Sequence, residues 1–280
     1  MTTATHPAAE TRRITTNPPE NPLPIYTSHV LRSSLRTAIF WAIGFTLYTV
    51  LILATFPSLR DSGALSMDTY PEAILEAFNI QDMTVVTNYL ESQVTSFAPL
   101  VLAFFPIMAF AGAIAGAEER GALDITLGPP LPRRHLVLAH WIAISALLFG
   151  ILLVTALATW ASSLLIDVDL SLARSLEGFL NIFPITIAFG SLALALSARL
   201  RSRGAVIGIS FAVVFLMYLI DVVGKISTDL ADLRWVSAFR YYGSALMDGM
   251  DWGNVAILLA VSVILLGAAI ALFERRDIYT

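Results

Sequence analysis

The chain has 280 residues, of which 57% are hydrophobic and only 14% charged, with a formal net charge of −4 and a mean hydropathy of +0.75. A soluble domain carries roughly a quarter of its residues as charges, so composition excludes an ordinary water-soluble fold. The absence of cysteine excludes a disulfide framework and a thiolate site.

Residues 1–24 are rich in Thr, Pro and Asn and contain no apolar core, which excludes a cleavable leader and predicts a disordered tail. From Tyr26 the pattern changes. His29, Arg32 and Arg36 recur on one side, and Tyr26, Val30, Leu31 and Leu35 lie away from them. Residues 25–36 therefore read as a basic amphipathic helix on the membrane surface, or as an extension of the span that follows.

Six apolar stretches follow, over 37–56, 97–117, 136–165, 179–198, 205–223 and 255–273. A helix needs about 20 apolar residues to cross roughly 30 Å of hydrocarbon. The expected fold is thus an all-α polytopic membrane protein of six spans occupying 37–280. The first long loop, 57–96, carries Asp61, Asp68, Glu72, Glu76, Asp82 and Glu91, with Ile74, Leu75, Phe78 and Ile80 as apolar anchors of a partly helical segment.

Arginine and lysine set the orientation. With the N-terminus inside, 12 of the 17 basic residues fall in inner segments, including Arg120, Arg133, Arg134, Arg199, Arg201, Arg203, Arg275 and Arg276. Arg60, Arg174, Lys225, Arg234 and Arg240 fall outside. Both termini are expected in the cytoplasm, and the chain in the cell membrane. The net charge then sums over two compartments and says nothing useful about partners; no nucleic-acid partner is expected.

No span carries Asp, Glu, Lys or Arg in its central part, so ion coupling by intramembrane charges has no place to sit. A phosphate-cradling loop needs Gly, four residues, then Gly-Lys-Ser/Thr. The single lysine lies in DVVGKIS, where Leu219 and Ile226 occupy the first glycine and the hydroxyl positions. Glu118-Glu119-Arg120 superficially matches the paired glutamates of CAAX-type intramembrane proteases, but the arginine is adjacent and no histidine follows His140. His135 and His140 are five apart and do not share a helical face, which argues against a metal site.

The loop between spans 2 and 3 reads EERGALDITLGPPLPRR. Leu123 and Leu127 share one helical face, with Ile125 and the acids, including Asp124, elsewhere. Gly128-Pro129-Pro130 ends this short helix, Pro132 suits the first turn of the next, and Arg133 and Arg134 hold that turn at the inner surface. A short helix with two exposed leucines and an acidic edge suits docking on a cytoplasmic partner, or resting on lipid. Near the other end, Trp235, Phe239, Tyr242 and Leu246 fall at i, i+4, i+7 and i+11, which predicts one aromatic helical face: an outer gate or an aromatic belt. Hydroxyls and an amide in the spans (Thr46, Thr49, Ser145, Thr155, Thr159, Asn181, Thr186 and Ser210), with Phe104, Phe105 and Phe183, suit a hydrophobic or amphipathic substrate.

Residues 118–127, followed by PPLPRR, resemble the E-x-x-G-x-L-(D/E)-x-x-L-x-x-P-x-x-R pattern of ABC-2 type permeases. RWVSAFRYYGSALMDG (234–249) resembles that family's short outer helices before the last span, and FERRDI (273–278) its C-terminal close. Gly121-Ala122 stands where Gly-Thr is common, and the second proline blurs where the helix ends. The resemblance implies that Glu118, Glu119, Gly121, Leu123, Asp124, Leu127, Pro129, Arg133 and Arg134 belong to a coupling helix seated on a separate ATPase subunit. It also implies two such subunits carrying ATP and Mg, no cofactor or catalytic residue in this chain, and a second permease copy, identical or related. Export of a drug, antibiotic or lipid-like molecule is the expected function. The alternative is a non-transporting subunit that relays the ATPase stroke across the bilayer.

Overall fold

The computed structural model describes residues 23–65, 82–119, 121 and 132–276. Residues 1–22 of the tail, the anchors Ile74, Leu75, Phe78 and Ile80, and Leu123, Asp124, Leu127 and Pro129 of the loop all lie outside the described residues, whereas Leu23 and Pro24, expected in the tail, begin the first helix. Among the described residues there is no strand, and six helical segments are long and apolar enough to cross a membrane.

Span 1 is one helix of 39 residues, Leu23–Asp61. The basic segment 25–36 continues into the span without a break. At 1.5 Å per residue the helix is about 58 Å long, nearly twice the hydrocarbon thickness. Its buried residues Ala38, Phe45, Thr49, Leu53 and Phe56 form a helical stripe, packed mainly against span 3 (Arg133–Leu165). The opposite face shows Phe40, Ile43, Leu47 and Leu51, as lipid contact allows.

Span 2 (Val86–Ala113) departs from the sequence reading. It begins eleven residues before the expected 97 and is built from pieces: Val86–Leu90, a π-helical turn Glu91–Thr95, Ala98–Leu102 and Phe104–Ala113. Pro99 and Pro106 lack the N–H that a regular ladder requires. Glu91, expected in the outer loop, is therefore corrected: it lies inside this span and is only 2% exposed. A further turn, Ala115–Glu119, carries the chain out of the span.

Span 4 (Leu172–Arg199) is the centre of the fold. Its most apolar stretch is 72% buried, against 22% for spans 1 and 5. It packs on span 6 (Trp252–Glu274) and on span 2. Gly190 permits the second contact, because a Cβ there would stand 2.7 Å from Pro106 Cβ. Span 5 (Arg203–Ile226) starts at Ser202, whose hydroxyl accepts from the Ala205 N–H, and it leaves Phe215, Leu216, Leu219 and Val223 exposed. Span 6 starts at Asp251, whose carboxylate accepts from the Gly253 and Asn254 N–H groups.

Candidate functional site

Two polar assemblies stand at opposite ends of the bundle. The first gathers where span 2 leaves the membrane. Gly121 N–H bonds the Glu118 carbonyl at 2.9 Å, and Gly121 takes φ +64°, a left-handed turn that ends the helix. Ser197 of span 4 bolts this exit in place, its hydroxyl accepting from the Ala115 N–H at 3.0 Å.

The two glutamates then reach sideways. Glu118 Oε1 pairs with Arg201 Nε at 3.5 Å and Glu118 Oε2 with Arg276 Nη2. Glu119 Oε1 accepts from the Arg203 backbone N–H at 2.8 Å, at the first residue of span 5. Arg276 Nη1 also donates to the carbonyls of Ser197, Ala198 and Leu200, at 3.4, 3.2 and 3.5 Å. These are carbonyls at the end of span 4, where a helix lacks internal donors and carries partial negative charge. Arg133 Nη1 donates to the carbonyls of Arg276 and Phe273 at 2.5 and 3.1 Å, and its guanidinium lies 5.7 Å from the centre of the Phe273 ring. One clamp therefore ties the exit of span 2 to the ends of spans 4 and 6 and the starts of spans 3 and 5.

Glu118, Glu119, Gly121 and Arg133 meet at this clamp, and Arg134 is exposed beside it. Arg201, Arg203 and Arg276 were legible only as positive charge; the sequence offers no signal that pairs them with the glutamates. His140 Nδ1 lies 2.9 Å from the Leu136 carbonyl of its own helix.

The second assembly corrects the expected aromatic face. Trp235, Phe239, Tyr242 and Leu246 do not share one helix. Trp235 belongs to a 3-10 helix, Thr228–Val236; Phe239 and Tyr242 to Ala238–Tyr242; and Leu246 to Ala245–Asp248. Ser237 caps the second piece, and Gly243 at φ +64° ends it. Phe239, Tyr242 and Leu246 are buried, whereas Trp235 is 59% exposed with the Arg240 guanidinium over its ring at 3.7 Å. Tyr242 Oη donates to the Thr95 carbonyl at 2.8 Å, and Asn181 Nδ2 donates to the Tyr242 carbonyl at 2.6 Å. Burial, and after it the Glu91 carboxylate, holds the Tyr242 phenol well above the ordinary tyrosine range, so it remains a donor. Asp221 anchors the same region, with Lys225 Nζ at 2.8 Å and Arg234 Nε at 3.0 Å.

Between the assemblies the buried polar groups of the described residues are hydroxyls, with no buried charge among them. The expected substrate-facing hydroxyls mostly turn back on their own helices: Thr49 to Phe45, Thr155 to Ile151, Thr159 to Thr155 and Thr186 to Ile182. Only Thr46 and Thr155 of that set bond each other across helices, at 2.9 Å.

Comparison with curated proteins gives no match. Residues 28–278 match the family described as ABC-2 family transporter protein, which spans all six helices and both polar assemblies. The chain belongs to the ABC-2 transporter family and is a membrane permease subunit of an ABC transporter, a kind of subunit that works with an ABC ATPase.

Proposed function

We propose that this permease is half of an exporter for hydrophobic or amphipathic molecules, with the Glu118 end in the cytoplasm. A separate ATPase subunit holds ATP and Mg and seats the loop around Leu123, Asp124, Leu127 and Pro129. One chain supplies six spans, so the working unit pairs it with a second, identical or related copy and two ATPase subunits. The exposed apolar sides of spans 1 and 5 leave room for such pairing.

The observation that carries this reading is the clamp. The docking loop leaves span 2 at Glu118 and Glu119, and these residues hold the ends of spans 4 and 6 and the start of span 5. A push on the loop thus moves several helix ends together, which is what converting an ATPase stroke into opening requires. Among the described residues no buried charge lies at the centre of the interior, so an apolar or amphipathic cargo pays the least desolvation.

The test is purification of the chain from its native membranes in mild detergent, with ATPase activity read in the eluate. An ATPase that comes with the wild type and is lost with Leu123→Asp/Leu127→Asp, while the variant still inserts, is the expected result. A wild-type chain that emerges alone and inactive sinks the reading.

A further inference from the structure

At the end opposite the clamp, the start of span 2, the end of span 5 and the three short helices enclose a cavity of about 210 Å³. Its lining holds three acids (Glu91, Asp221, Asp248) and three bases (Lys225, Arg234, Arg240). The balance in number hides an imbalance in pairing. The Asp221 side chain, 5% exposed, serves both Lys225 and Arg234, whose side chains remain 28% and 27% exposed. One buried carboxylate against two cations leaves excess positive charge on that wall, and the ammonium and guanidinium keep donors to spare.

The other acids come from different elements. Glu91 arrives on the π-helical turn and Asp248 on the last short helix. Among the described residues no ion pair involves either of them. The Glu91 carboxyl accepts from the Leu246 backbone N–H, and the cation that acts on it is Lys225, which is already paired with Asp221. A carboxylate buried at this depth with no counter-ion of its own is costly, and such residues mark sites where a partner arrives. Tyr218, Phe239 and Tyr242 supply ring surface to the same lining, with Tyr218 and Phe239 edge to face at 5.3 Å. Aromatic walls beside a carboxylate are chemistry that recognises an ammonium group.

We propose that this cavity binds a zwitterionic head group, its amine or quaternary ammonium at Glu91 and Asp248 and its phosphate or carboxylate at Lys225 and Arg234. The head group belongs either to a membrane lipid resident at this surface or to the amphipathic cargo itself. In the second case the site deepens the exporter reading and rests on it.

The experiment uses the full chain in nanodiscs, with dihexanoylphosphatidylcholine as the zwitterionic probe and decyltrimethylammonium as a cation-only probe. The wild type should bind the zwitterion saturably. Glu91→Gln should weaken both probes about tenfold, the loss of one charge-assisted contact. Lys225→Gln should weaken the zwitterion alone, since Arg234 still neutralises Asp221. Should Glu91→Gln fail to give a monodisperse protein, Asp248→Asn replaces it. No saturable binding, or binding that none of these changes touches, overturns the proposal. In the complex with its ATPase, hydrolysis stimulated by the zwitterion and lost in Glu91→Gln assigns the head group to cargo. Binding without stimulation assigns it to a resident lipid. The binding arm needs no ATPase, so failure of the ATPase purification leaves it readable.

Discussion

Arg276 is the residue on which the clamp is most exposed to test. Arg276→Ala removes the pair with Glu118 and three bonds to the last carbonyls of span 4. Breaking one side of a fully buried pair costs roughly 3–5 kcal/mol. Here the side chains are 11% and 28% exposed, so solvent screens part of the loss and about 2–3 kcal/mol is expected. At ~2–4 °C per kcal/mol for a chain of this size, the melting temperature in detergent should fall on the order of 5–10 °C. Arg276→Lys should recover part of this, because an ammonium keeps the charge but not the planar fork that serves Glu118 and the carbonyls together. The exchange Glu118→Arg/Arg276→Glu should not rescue Arg276→Ala, since it sets a glutamate against the Ser197, Ala198 and Leu200 carbonyls and an arginine beside Arg201. An Arg276→Ala chain that melts with the wild type would show that the arginine is ornament at this end and would refute the clamp.

Other parts of the molecule give sharper local tests. Gly190→Leu should cost about 1–3 kcal/mol in the same melting assay, since a Cβ already meets Pro106 at 2.7 Å; unchanged melting would mean that spans 2 and 4 separate freely. Asp221→Asn should destabilise more than Lys225→Gln, because it strands two cations whereas Lys225→Gln leaves Asp221 paired with Arg234; the reverse order would contradict the pairing. Thr46→Val should lower stability by about 0.6 kcal/mol, and adding Thr155→Val should cost little more in that hydroxyl pair, as a double-mutant cycle would show.

The six spans were legible because the signal that defines them is local. Twenty apolar residues in a row demand a helix whatever lies beside them. Glu91 shows where that logic stops. A charge ends an apolar run in the sequence, yet here the helix continues through it, because the backbone amide of Leu246 and a polar cavity meet the carboxylate. Neither partner is near it in the chain. The aromatic face failed for a related reason. Spacing of i, i+4, i+7 and i+11 places side chains together only on an unbroken helix, and Ser237 and Gly243 interrupt this one. A serine that caps and a glycine that breaks are both local signals of such an interruption. The Glu118–Arg276 pair, 158 residues apart, has no such local signal: the terminal arginines read equally well as inner-surface charge.

The distribution of burial explains how the two ends of the molecule can act together. Span 4 is closely packed along its length and is held by Arg276 at one end and, through Asn181 and Tyr242, by the short helices at the other. Closely packed interiors do not bend continuously; they shift as bodies between discrete arrangements. A displacement of the Glu118 end therefore reaches the cavity beside Glu91 as a movement of span 4 against its neighbours. Spans 1 and 5, with most of their apolar surface turned outward, are the least buried of the six spans.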